Sequence, residues 1–138
     1  MTMSISMLLY FTVFASAAAS CQSYTVQISG QLHFGKDSDL KCSYSCNTGY
    51  TCSFTQVLWA KDQSNVYAHE ILTGNTHTYP LWENKVSGSI GANTHNLTVK
   101  DVIWDYEGEW ACRVYSVECT AGLNTNYLST IHSEFSIS

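Results

Sequence analysis

The chain has 138 residues, with eleven acidic and six basic side chains and a net charge of −5. That length suits one domain after processing. The basic residues Lys36, Lys41, Lys61, Lys85, Lys100 and Arg113 are scattered singly, which argues against the clustered positive surface that nucleic-acid binding needs.

Met7 to Ala19 is apolar or small apart from Thr12 and Ser16, and it ends in Ala17-Ala18-Ala19. The run is too short to span a bilayer and closes on a small-x-small cleavage pattern, so residues 1–19 read as a secretory signal peptide. Residues 20–138 are then the domain. Only the amino terminus supplies positive charge ahead of the apolar run. No second long apolar run or lipid-anchor tail follows, so the expectation is a chain secreted whole or cut from a larger receptor.

Strand patterns recur at short intervals after residue 20, and no amphipathic helix stands out. Tyr24 to Ile28 alternates, and Gln31 to Phe34 can continue that edge after Gly30. Asp39 to Tyr44 alternates with Leu40, Cys42 and Tyr44 on one face. Val57 to Lys61 turns Val57 and Trp59 to the same core. Val66 to Leu72 and His77 to Trp82 are weaker strands. Lys85 to Ile90 and Asn96 to Val99 pair around Gly91-Ala92-Asn93. Gly108 to Val117 is long, with Trp110, Cys112 and Val114 inward, and Tyr127 to Ile137 closes the series. About nine short strands with polar turns predict an all-β, two-sheet antiparallel sandwich.

Six cysteines follow the leader: Cys21, Cys42, Cys46, Cys52, Cys112 and Cys119. An even count in a short secreted chain points to disulfides. Zinc is disfavoured, because no Cys-x-x-Cys pair occurs.

Four pieces carry a family resemblance: Leu40-x-Cys42, Val57-x-Trp59, Lys85-Val86-Ser87-Gly88-Ser89, and Leu97-Thr98-Val99 running on to Gly108-x-Trp110-x-Cys112. On these the chain resembles the immunoglobulin superfamily, and its variable-type (V-set) members in particular, over nearly all of residues 20–138. The distance from Trp59 to Lys85 leaves room for two extra edge strands, which favours the variable type. The resemblance implies a Cys42–Cys112 bridge with Trp59 packed on it, and a role in immune or cell-surface recognition. Of the other four cysteines, Cys46–Cys52 reads as a pinched hairpin, leaving Cys21 for Cys119; the competing pairing is Cys52–Cys119 with Cys21–Cys46.

The chain departs from the family at several positions. Tyr106 stands where the family has an Asp, and Trp110 where it has the tyrosine of its corner motif. Trp110 can donate only from its indole nitrogen, with a different reach. Lys85 is expected to seek Asp105 or Glu107. Ala60 and Asp62 replace the aromatic and Gln used in antibody-style domain pairing, and the Phe-Gly-x-Gly bulge is missing, so that pairing is not implied. Trp104 is expected at the sandwich base.

Strand parity then yields a candidate contact face. If Val57, Trp59, Trp110, Cys112 and Val114 face inward, Leu58, Ala60, Ala111, Arg113, Tyr115 and Val117 face outward. Five apolar or aromatic residues beside one Arg suit a partner-binding patch. Of the loop aromatics Tyr50, Phe54, Tyr79, Trp82 and Tyr127, Tyr50 is the favoured contact residue. The stapled loop end gives that region a rigid surface. Asn96-Leu97-Thr98 is the single glycosylation sequon, and Leu97 inward puts Asn96 outward.

Catalytic patterns are weak. Ser87-Gly88-Ser89-Ile90-Gly91 lacks the Gly that a nucleophile elbow places two before Ser89. His33, His69, His77, His95 and His132 show no metal spacing and read as surface residues. The expectation is a secreted binding module that is not an enzyme and takes no cofactor. Its partner is an extracellular protein, a cell-surface ligand or a second copy of itself. A receptor ectodomain and a soluble decoy or toxin-like effector are the alternatives.

Overall fold

A computed structural model describes residues 23–117 and the backbone of residues 124–128. Nine strands run β1 (Tyr24–Gly30), β2 (Ser38–Cys46), β3 (Phe54–Lys61), β4 (Ser64–Glu70), β5 (Thr76–Thr78), β6 (Val86–Gly91), β7 (Thr94–Val99), β8 (Trp110–Ser116) and β9 (Asn124–Leu128). They form a four-stranded sheet, β1-β2-β7-β6, and a five-stranded sheet, β5-β4-β3-β8-β9. Every pairing is antiparallel. The result is an all-β two-sheet sandwich, consistent with an immunoglobulin-like fold.

Alternation builds the four-stranded sheet. Ser38, Leu40, Cys42 and Tyr44 of β2 are buried, and so are His95, Leu97 and Val99 of β7, with polar residues between them. A period of two puts each buried set on one face. The central strands of the other sheet are different: β3 is buried continuously over 57–60, and β8 carries burial on both faces. The β3–β4 hairpin closes through Asp62 and Gln63, both at positive φ (49° and 70°). Two left-handed residues make the turn whose twist matches a hairpin.

Cys42 and Cys112 are disulfide-bonded with Cα atoms 6.3 Å apart, joining the two sheets. Trp59 lies beside Cys112 in the register and is fully buried. Cys46 and Cys52 form the second bridge, and no described cysteine is free. The pairing of Cys21 with Cys119 lies outside the described residues.

Several expectations change. Gln31 to Phe34 is not a strand; β1 ends at Gly30 and the chain turns away. The strand expected over His77 to Trp82 is cut to Thr76–Thr78, because Pro80 opens a 3-10 turn over Pro80–Trp82. β9 begins at Asn124, three residues before the expected start, and residues beyond 128 lie outside the description. Trp110 Nε1 donates to the Tyr106 carbonyl at 3.0 Å. Trp82 packs edge-on against Trp110 at 5.4 Å and tilted against Tyr106 at 5.0 Å. Trp104 does pack at the base, stacked on Phe34 at 4.4 Å. Lys85 gains no carboxylate partner among the described residues; the ion pair is instead Lys61–Asp62 at 2.7 Å. Asp62 also accepts the Glu109 amide at 2.9 Å, tying the β3–β4 turn to the start of β8.

Candidate functional site: the outward sheet face and the polar core

The outward face of the five-stranded sheet is laid out in rows. Ala68, Leu58 and Arg113 stand side by side across β4, β3 and β8, and Glu70, Gln56 and Tyr115 form the next row. Ala60 stands opposite Ala111. The parity inference therefore holds for direction. Depth differs: Leu58, Ala60 and Ala111 are buried. They were expected to offer contact surface and do not. β3 is the middle strand of five, and on such a face short central side chains lie below longer neighbours. Arg113 and Tyr115 are half-buried, and Val117, at the strand end, is 55% exposed. Beside them two shallow cavities, of about 230 and about 200 Å³, share Gln56 and Glu70 as a common wall. Leu72 lines the first and Tyr79 the second.

The loop end is separate from this face. Tyr50 is 53% exposed between the bridged Cys46 and Cys52. Phe54 is no free loop aromatic; it packs edge-on against Tyr24 at 5.2 Å and Tyr44 at 4.8 Å. Tyr79 is half-buried with its ring against His77 at 4.6 Å. The Tyr127 side chain lies outside the described residues. Asn96 is exposed in mid-β7, between Lys41 and Ser89 of the flanking strands, on the opposite sheet from Arg113 and Tyr115.

Two histidines expected at the surface are instead in the core. His95 is fully buried and His69 nearly so. Trp59 Nε1 donates to His95 Nδ1 at 3.0 Å, and His95 Nε2 meets His69 Nδ1 at 3.1 Å. The Tyr67 ring lies 5.7 Å from that of His95. Burial, with the neighbouring His69 second, pushes His95 down to about 4; burial also lowers His69. The signal for this was present. The alternation that puts Asn96 outward and Leu97 inward also puts His95 inward.

Among the described residues no group of three or more His, Cys, Asp or Glu side chains could hold a metal ion. No helix among them is long and apolar enough to cross a membrane. Compared with known proteins, the chain matches no family model and no curated protein.

Proposed function

We propose that the chain is a secreted immunoglobulin domain of the variable type that binds an extracellular protein partner through the outward face of its five-stranded sheet. The observation that carries this is the row of Tyr115, Gln56 and Glu70 with Arg113 and Val117 beside it. These residues lie on a sheet extended beyond β3 by β4 and the edge strand β5. Extra edge strands on this sheet are the mark of the variable type. Tyr and Arg are frequent interface anchors. Disulfides are the chemistry of oxidising compartments, and they accompany a signal-like leader. A glycan on Asn96 would cover the four-stranded sheet and leave the other sheet free. The buried Leu58 and Ala60 support the face from below, so the contact narrows to Arg113, Tyr115, Val117 and the Gln56–Glu70 wall.

The test is binding to a panel of recombinant cell-surface ectodomains, with light scattering for self-association. Wild type is set beside Tyr115→Ala and Tyr50→Ala. Tyr115→Ala should weaken the selected contact by about 1–2 kcal/mol, roughly 5–30-fold in Kd. Loss on Tyr50→Ala alone would move the contact to the loops and refute the sheet-face reading.

A further inference from the structure

The hydrogen-bond chain through the core has a direction that the donors fix. An indole N–H can only donate. His95 Nδ1 therefore accepts from Trp59 and is unprotonated. His95 must then carry its proton on Nε2 and donate to His69 Nδ1. His69 in turn carries its proton on Nε2. Both rings are neutral, each in one tautomer.

An extra proton has no place in this chain. On His69 Nδ1 it would face the N–H of His95. Shifting the His95 proton to Nδ1 to relieve that clash would set it against the Trp59 N–H. Either way one bond is lost, and a charged ring is left in the interior. Among the described residues no charged partner compensates it. The neighbours facing His95 are Cys42 of β2, Trp59 of β3, Tyr67 and His69 of β4, and Ile90 of β6, and Cys42 is bridged to Cys112. On β6, Gly88 brings its backbone close: a Cβ there would lie 2.7 Å from His95 Cε1. Around His69 stand Val57 of β3, Tyr67 of its own strand and Thr76 of β5. Lys41, Glu70 and His77 are exposed and occupy outward positions on their strands. No carboxylate faces either ring among the described residues.

We propose that Trp59, His95 and His69 form an acid-released latch between the two sheets, holding the sandwich closed at neutral pH and loosening it when the pair takes up one proton. Trp59 and His69 belong to the five-stranded sheet and His95 to the four-stranded one, so the lost bond is one that spans the layers. The proton prefers the unfolded chain. The sign follows: stability is complete above the ordinary histidine value of 6.5 and falls as pH drops toward about 4, where it levels off. For a histidine moved between those values, the folding equilibrium constant falls roughly 20-fold from pH 7 to pH 5 and roughly 100-fold to pH 4. Acid would thereby release whatever the folded sheet holds.

The test is urea unfolding of the secreted chain from pH 7 to pH 4, beside His95→Gln. A glutamine can accept from Trp59 and donate to His69 without titrating, and all other ionisable groups are common to both proteins. Wild type should lose roughly 100-fold more than the variant across that range. Equal losses would overturn the latch. If His95→Gln fails to fold, nitrogen-15 spectra of wild-type imidazoles decide. Two rings with unprotonated Nδ1, one of them neutral down to pH 5, support the latch; a His95 that titrates at 6 or above overturns it.

Discussion

Gly88 is the sharpest point at which to perturb this core. It faces inward on β6, opposite Leu97. A methyl group added there would lie 2.7 Å from both His95 Cε1 and Tyr67 Cζ, and it would also strike Tyr67 Cε2. Ordinary carbon contacts begin near 3.4 Å, so the overlap is about 0.7 Å with His95 Cε1 and Tyr67 Cζ and larger still with Tyr67 Cε2. Neither ring can retreat cheaply. His95 is held through both nitrogens, and Tyr67 lies against His95 and His69. Overpacking of this kind costs about 1–3 kcal/mol, and restricting the unfolded chain returns about 0.4–1. Gly88→Ala should therefore lose about 1–2 kcal/mol net. Gly91→Ala on the same strand is the control. Its methyl would meet only Thr94 Oγ1, at 2.9 Å, a side chain able to turn aside. Urea titration followed by tryptophan fluorescence should separate the two midpoints at an equal m value. If both variants unfold at one midpoint, the packing of Gly88 against these rings is not as described.

Four further outcomes are expected. Trp59→Ala removes a fully buried ring beside the Cys42–Cys112 bridge and should cost about 3–5 kcal/mol, read as a sharp fall in secretion and melting temperature. Trp110→Phe keeps an aromatic ring against Trp82 but orphans the Tyr106 carbonyl; a loss of about 1–3 kcal/mol should appear in chemical unfolding. Non-reducing peptide mapping should recover Cys42 joined to Cys112 and Cys46 joined to Cys52. Asn96→Gln should lower the mass of secreted protein by as much as enzymatic deglycosylation of the wild type does, with little change in stability, since Asn96 is exposed.

Strand alternation made the four-stranded sheet legible, because β2 and β7 each bury one face only and so keep the period of two. The Cys42, Trp59 and Cys112 set was equally readable, since a bridge between sheets demands strands that face each other. Burial on the five-stranded sheet was harder. Parity tells which way Leu58, Ala60 and Ala111 point, but not how deep neighbouring strands set them. Residue type alone is a poor guide to His69 and His95. Imidazole is commonly exposed, yet His95 sits two residues before inward-facing Leu97, and position outweighed chemistry. The hydrogen bonds that make its burial tolerable come from β3 and β4, far away in sequence, and no local pattern reveals them. The break at Pro80 is visible in the letters, since proline cannot donate to a sheet ladder.

The small ring closed by Cys46 and Cys52 has a consequence for how this domain can change. Its ends are fixed by the bridge, and Asn47 is anchored again by its amide to the Ser23 carbonyl and by its side chain to Thr25. Strain or added length in residues 48–51 is thus absorbed before it reaches β2 or β3. Loop closure costs little for extra residues once the ends are held. The segment is a natural graft point, where foreign sequence could be carried without renegotiating the sheets on either side.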